Sequence, residues 1–251
     1  LKLAGEVQEL AVSFFGQRVL RGLSLVIPRN RLTVIIGPSG SGKTTLLRAL
    51  NRLNEFFPGA DTRGTVRLHL EGAWVDVYGG DLSVTGLRRR VGLVFQQPHI
   101  LPVSIAKNIT LPLKLVAGLS RRDLPARMEQ VLREAHLWDE VKDRLASPAA
   151  ALSGGQQQRL CLARALALEP EILLLDEPSA SLDFRAASRV EELLADLKDR
   201  YTLVAVSHSL SQARRIADQI AVLKEGVIVR MLERTEFDNQ SVFHRLIEEN
   251  F

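Results

Sequence analysis

Residues 37–44 read Gly37-Pro38-Ser39-Gly40-Ser41-Gly42-Lys43-Thr44, and what flanks them limits the fold more than any other stretch. Before them stands Leu32–Ile36, a short β-branched run. After them Leu46, Leu47 and Leu50 recur on one face of a helix. A buried strand, a glycine-rich turn and a helix, in that order, fit the G-x-x-x-x-G-K-[S/T] phosphate loop. Glycines let backbone N–H groups face phosphate oxygens with no side chain in the way. The helix N-terminus adds partial positive charge. Lys43 is placed to reach the β/γ-phosphates, and the Thr44 hydroxyl suits Mg²⁺. Helical character is expected from residue 42 to about 53, with Thr45 opening the helix proper. The loop predicts nucleotide binding, but leaves open which nucleotide and what its energy drives.

The rest of the chain supplies a sheet around that loop. Up to about residue 30, apolar and polar residues alternate between turn signals at Phe15-Gly16 and Pro28, which predicts antiparallel strands. Alternation returns over residues 64–78 (Val66, Leu68, Leu70, then Trp74 and Val77), read as a hairpin. Apolar runs at 91–95, 172–175 and 203–206, and a fourth reached through 216–222, predict buried strands. Val190, Leu193, Leu194 and Leu197 mark an amphipathic helix between two of them. Strands alternating with helices predict an α/β fold: a mostly parallel sheet covered on both faces, with an N-terminal antiparallel β subdomain. From about residue 98 to 170 the pattern is helical (Met128, Val131, Leu132, Ala135, Trp138). A helical subdomain is therefore expected as an insertion, approximately 97–165, within a single domain spanning 1–251.

Composition narrows the class without choosing a function. Apolar residues make up 46% and charged residues 25%, as in ordinary globular domains. No apolar run approaches the ~20 residues of a membrane-spanning helix. The N-terminus lacks both the basic-then-apolar pattern of a signal peptide and a starting Met, so trimmed first residues and a cytosolic protein are expected. The single cysteine, Cys161, lies in an apolar helical pattern and is expected to be buried and inert. The net charge of +4 suits a phosphate-rich ligand or an anionic membrane surface, and equally no special partner.

A second chemical signal follows the apolar run at 172–175, where Asp176 and Glu177 precede Pro178. Ligands bind beyond the C-terminal ends of strands in parallel sheets. Asp176 is the candidate for Mg²⁺, and Glu177 for the base that orients and deprotonates an attacking water. Ser153 can cap a helix whose apolar positions include Leu160, Ala163 and Leu166. Gly154 and Gly155 would leave backbone N–H groups bare at its positive end, a second anion site.

Together, the phosphate loop, Leu152-Ser153-Gly154-Gly155-Gln156 and Leu-Leu-Leu-Asp176-Glu177-Pro178 resemble the ATPase domain of ABC transporters over essentially the whole chain. The resemblance implies a phosphate-loop NTPase core that binds ATP and Mg²⁺. It implies a head-to-tail homodimer, in which Ser153, Gly154, Gly155 and Gln156 of one subunit complete the site of the other. Transmembrane permease subunits would be partners, a solute-binding protein would be served indirectly, and no nucleic acid would be bound. The location implied is peripheral, on the cytoplasmic face of the cell membrane. Gln96 matches the glutamine that contacts Mg²⁺ and water, with Gln97 as the alternative. His208 resembles the histidine that contacts the γ-phosphate, and Asp183 the aspartate that communicates across the dimer. Around Asp183 the run is Ala180-Ser181-Leu182-Asp183-Phe184, a departure from the family's usual Ser-Ala-Leu-Asp-Pro. Phe15 matches the aromatic that stacks on adenine, with Phe14 as the alternative.

Several stretches are most similar to the ATPase of bacterial phosphate importers, including Asn51-Arg52-Leu53-Asn54, Pro58-Gly59-Ala60 and Trp138-Asp139-Glu140-Val141-Lys142-Asp143. A loop over residues 54–62 is also similar. Import of inorganic phosphate is the implied task. ABC systems for another oxyanion, a lipid or an exported solute are alternatives, as is a non-transport ABC ATPase. Ribosome-associated members carry two such domains in one chain, and DNA-repair members carry long coiled coils; this sequence shows neither. The tail, residues 234–251, spaces Phe237, Val242, Phe243, Leu246, Ile247 and Phe251 almost as a helix would, and is expected to pack on its own domain.

Overall fold

A computed structural model describes residues 2–80, 82–238 and 243. The chain opens with β1 (Leu3–Phe14) and β2 (Gln17–Pro28), joined by the two-residue turn Phe15-Gly16. Next comes β3 (Leu32–Ile36), the strand that feeds the phosphate loop, then α1 (Lys43–Leu50). A 3₁₀ turn at Leu53–Phe56 leads to the hairpin of β4 (Ala60–Leu70) and β5 (Ala73–Asp76). After α2 (Val84–Arg90) and β6 (Val91–Val94) the chain turns helical: α3 (Ile105–Leu115), α4 (Leu124–Glu134), α5 (Trp138–Val141) and α6 (Gly154–Leu166). It then returns through β7 (Ile172–Asp176), α7 (Phe184–Leu197), β8 (Thr202–Val206), α8 (Leu210–Ile216), β9 (Gln219–Lys224), β10 (Val227–Glu233) and α9 (Arg234–Phe237).

Two sheets result. The antiparallel one runs β2-β1-β4-β5, and the larger runs β10-β9-β3-β8-β7-β6. In the larger sheet only the β9–β10 pairing is antiparallel. Every residue of β3, β7 and β8 is buried, as expected of strands covered on both faces. Alternate side chains serve two cores. Val34, Leu173, Leu175 and Leu203 join the core under the helices, with α6 and α7. Ile35, Leu174, Val204 and Val206 join the core under the antiparallel sheet, with α1. The α3–α6 helices lie in sequence between β6 and β7, so the insertion reaches the core at two neighbouring strands.

Some boundaries differ from the sequence reading. Helix α1 begins at Lys43, not Thr45, because Gly42 takes the left-handed N-cap (φ 105°), and it ends at Leu50. The expected loop over 54–62 holds the 3₁₀ turn and the start of β4. Ile216 closes α8 rather than opening a strand. Three elements had no sequence expectation: α2, α8 and β10. The first two are seven-residue helices, too short for periodicity to show. Cys161 is buried and free. In the tail, Phe237 and Phe243 are buried in the helical-side core with ring centroids 6.2 Å apart. Val242, Leu246, Ile247 and Phe251 lie outside the described residues.

Candidate active site

Strand register assembles the site. β3, β8 and β7 are parallel neighbours, with Ile35 opposite Val206 and Val206 opposite Asp176. The phosphate loop, the segment Ser207-His208 and the pair Asp176-Glu177 therefore leave the sheet at one edge. Val94 pairs with Leu175, so Gln96 and Gln97, both exposed, follow β6 at the same edge.

In the phosphate loop, close approach dictates the first glycine. A Cβ at Gly37 would lie 2.0 Å from the Leu223 carbonyl oxygen of β9. At Gly40 (φ 79°) a Cβ would meet nothing within 4 Å, so that side of the loop faces open space. The Lys43 ammonium donates to the carbonyl oxygens of Gly37 and Pro38, each at 2.8 Å. Burial pulls its pKa below the ordinary lysine value, while the Glu177 and Asp176 carboxylates act in the opposite direction. The Thr44 hydroxyl donates to Asp176 Oδ1 at 2.9 Å, across 132 residues of sequence. Val19, Ser39, Gly40, Gly42, Thr45, Glu177 and His208 line the same cleft with Lys43 and Thr44.

Glu177 has a left-handed backbone (φ 48°), uncommon outside glycine. Its carboxylate Oε1 lies 2.5 Å from Nε2 of His208. A carboxylate held against an imidazole, beside a phosphate cradle, can position and deprotonate a water. Thr44 and Asp176 supply hard oxygen ligands of the kind Mg²⁺ takes, together with phosphates and water. Among the described residues no cluster of three or more His, Cys, Asp or Glu forms a cage for a metal. Two such oxygen donors joined beside the phosphate loop fit an ion shared with a nucleotide.

Phe15 and Phe14 separate cleanly. Phe15 is 82% exposed, its N–H donates to the Gly59 carbonyl at 2.9 Å, and its ring lies over Gly59. Phe14 packs edge-on against Phe57 and the core of the antiparallel sheet.

The serine–glycine run lies elsewhere. Ser153, Gly155, Gln156 and Asp183 line a second cleft with Glu140 and Arg189, and none of these lines the phosphate-loop cleft. Ser153 caps α6, accepting from Gln156 N–H at 3.4 Å, and Gln156 Oε1 accepts from Ser153 N–H at 3.0 Å. Asp183 caps α7, accepting from Ala186 N–H at 3.0 Å. Gly154 is exposed, whereas Gly155 is buried, and a Cβ there would lie 2.7 Å from the Ala186 Cβ. Gly155 thus lets α6 and α7 touch, a packing demand absent from the sequence reading. Two further groups were not singled out by the sequence reading. Glu140 accepts from Arg159 at 2.8 Å, Gln156 at 2.7 Å and Arg189 at 3.3 Å. Gln212 ties together the loops after β7 and β8.

A phosphate-loop cleft, an adjoining Glu–His pair and a detached serine-capped helix define the class, and comparison with known proteins agrees: the chain belongs to the ABC transporter family, whose model matches residues 20–180. It is similar to the phosphate import ATP-binding protein PstB of Shewanella denitrificans, 46% identical over 224 residues, covering 89% of this chain and 81% of that one. The PstB 1 protein of Vibrio parahaemolyticus is 48% identical over 86% of this chain and 78% of its own. Among solved structures, the ATP-binding cassette MJ0796, a dimer in a post-hydrolysis state with ADP and Pi, superposes with a TM-score of 0.74 at 31% identity, covering 92% of this chain and 98% of that chain. CbiO1 of Clostridium perfringens shares the fold, with a TM-score of 0.82 at 23% identity, covering 100% and 96%.

Proposed function

We propose that this chain is the ATP-hydrolysing subunit of an importer of inorganic phosphate. The observation that carries the chemistry is the convergence of Lys43, Thr44, Glu177 and His208 in one cleft, with Asp176 joined to it through Thr44. The solute rests on similarity to the PstB proteins, since an ATPase subunit need not touch what is transported.

ATP stacks its base on Phe15 and lays its phosphates along the backbone N–H groups of residues 39–45. Lys43 exchanges its two carbonyl acceptors for phosphate oxygens. Thr44, Asp176 and Gln96 would hold Mg²⁺, which would supply charge neutralisation at the phosphates. Glu177 takes a proton from water as the water oxygen bonds to the γ-phosphorus; the bond to the β-phosphate oxygen breaks, giving ADP and inorganic phosphate. His208 holds Glu177 and the γ-phosphate in register. A second copy approaches head to tail, offering Ser153 and the N–H groups of Gly154 and Gly155 to the γ-phosphate, with Asp183 beside them. Catalysis is then mostly positioning and electrostatics.

The whole span 1–251 acts as one ATPase unit, peripheral to the cytoplasmic face of the cell membrane. Among the described residues no helix is long and apolar enough to cross a membrane. Force passes to a permease through the region after Gln96. There a cleft lined by Phe95, His99, Pro112, Val116 and Leu168 lies between β6 and the inserted helices, and it suits a helix presented by a membrane subunit.

The test is labelled phosphate uptake in cells deleted for the gene and carrying wild type or Glu177→Gln. Uptake restored by wild type alone is the expected result. Normal uptake in the deletion strain would remove phosphate as the solute. Uptake restored equally by Glu177→Gln would remove Glu177 as the base.

A further inference from the structure

The Glu177 N–H donates to the Val206 carbonyl at 3.2 Å, which anchors the backbone but not the two side chains. Among the described residues, the two side chains have hydrogen-bond or ion-pair contact only with each other. His208 is partly exposed, and Glu177 holds a left-handed backbone that surrounding structure must enforce. Each residue lies on a short loop beyond a strand, so its position depends on what grips that loop.

One buried side chain grips both. Gln212, on α8, is 7% exposed. Its Oε1 accepts from the hydroxyl of Ser207, the residue before His208, at 2.6 Å. Its Nε2 donates to Oγ of Ser179, two residues after Glu177, at 2.5 Å. Ser179 and Ser207 are buried as well. The amide's orientation is settled by its third neighbour: Nε2 also faces Glu191 Oε1 at 3.3 Å, and a carboxylate can only accept. Glu191 is in turn held by the Arg215 guanidinium at 2.7 Å. The series Arg215–Glu191–Gln212 thus reads from α8 through α7 into the two catalytic loops.

We propose that Gln212 is a positioning residue for ATP hydrolysis, coupling the loop that carries Glu177 to the loop that carries His208 through Ser179 and Ser207. The proposal rests on the reading of Glu177 and His208 given above. Gln212 does not line the phosphate-loop cleft. Its loss should therefore spare nucleotide binding and strike turnover.

The experiment compares the full chain as wild type, Gln212→Leu, Gln212→Glu and Glu177→Gln, reading kcat and KM for ATP, ADP affinity and Tm. For Gln212→Leu the expected result is a kcat lower by about 10- to 100-fold, the scale of a small misplacement of catalytic groups. KM and ADP affinity should stay within about two-fold, since the cradle that binds phosphate is untouched. Gln212→Glu should show the same split, because its carboxylate would stand where the amide N–H now faces Glu191 at 3.3 Å, and two carboxylate oxygens cannot bond. If Gln212→Leu does not fold, Ser179→Ala and Ser207→Ala each remove one tie and should show the same split. A kcat unchanged in Gln212→Leu, or in both serine variants, while Glu177→Gln is inactive overturns the proposal. So does a parallel loss of ADP affinity, which marks a packing role. Wild-type turnover in Glu177→Gln would instead refute the underlying assignment of the base.

Discussion

At Phe15 the chain places an aromatic side chain where a two-residue hairpin turn favours asparagine or glycine. Phe15 and Gly16 both have positive φ, 50° and 81°, the geometry of a type I′ turn. For a bulky residue that conformation costs about 1–2 kcal/mol, and a ring this exposed returns little packing to the fold. A flat face kept open at such a cost suits base stacking, worth about 1–3 kcal/mol. Phe15→Ala should therefore weaken ADP binding by about 5- to 150-fold, the equivalent of that energy. Phe15→Tyr should bind as wild type does. Phe15→Asn should lose affinity yet gain stability, with Tm rising about 2–4 °C per kcal/mol of relieved strain. Calorimetric titration and thermal melts of these variants beside Phe14→Ala decide the matter. Phe14→Ala should lower Tm and spare affinity, and the reverse pattern would exchange the roles of the two rings. Lys43→Ala belongs at this scale too: the cradle keeps its N–H groups but loses its cation, so nucleotide affinity should fall with little change in Tm.

Helix α6 separates two glycines that sequence alone treats alike. Gly155 is pressed against Ala186, where an added methyl overpacks a helix contact at a cost of about 1–3 kcal/mol. A Cβ at Gly154 would meet only Leu182 Cδ2, at an ordinary 3.7 Å. Gly155→Ala should thus lower Tm, and Gly154→Ala should leave it unchanged or slightly raised; equal melting temperatures would show that the helices yield at no cost. The same helix is braced by Glu140. Burial opposes the charge on Glu140, but hydrogen bonds from Arg159 and Gln156 outweigh it and hold the carboxyl pKa below its ordinary value of 4.5. A depressed pKa stabilises the fold above the unfolded-state value, and that contribution fades as pH falls through the folded one. The Tm gap between wild type and Glu140→Gln should be widest near neutrality and close below pH 4.5. A gap independent of pH would assign the loss to shape rather than charge.

Over the whole molecule, the phosphate loop and the serine–glycine run line different clefts of one chain, so a single copy cannot bring both to one phosphate by local adjustment. A second copy can. Mixed with ATP, Glu177→Gln should elute from a sizing column at twice the monomer mass, and adding Gly154→Asp should return it to monomer. Aspartate in the first turn of a helix is favourable to the helix itself, so this loss would report repulsion of the partner's phosphate and not unfolding. A persistent dimer in the double variant would place the interface elsewhere.

What the sequence determined by itself is local. The phosphate loop, the acid pair at the end of β7 and the serine cap of α6 are each contiguous runs whose backbone demands show in residue type: glycine for bare N–H groups, a hydroxyl at an N-cap, apolar residues for a strand buried on both faces. The inserted helices were legible for the same reason, as sustained periodicity. What only the tertiary structure decided depends on neighbours far away in sequence. Strand order brought Thr44 to Asp176 and Glu177 to His208. A turn conformation left Phe15 open while Phe14 packs on Phe57, and a helix contact gave Gly155 its packing role. Gln212 carried no signal, and Glu140 none beyond its place in the 138–143 run, because a polar residue in a short helix looks like any solvated one until the fold buries it against particular partners.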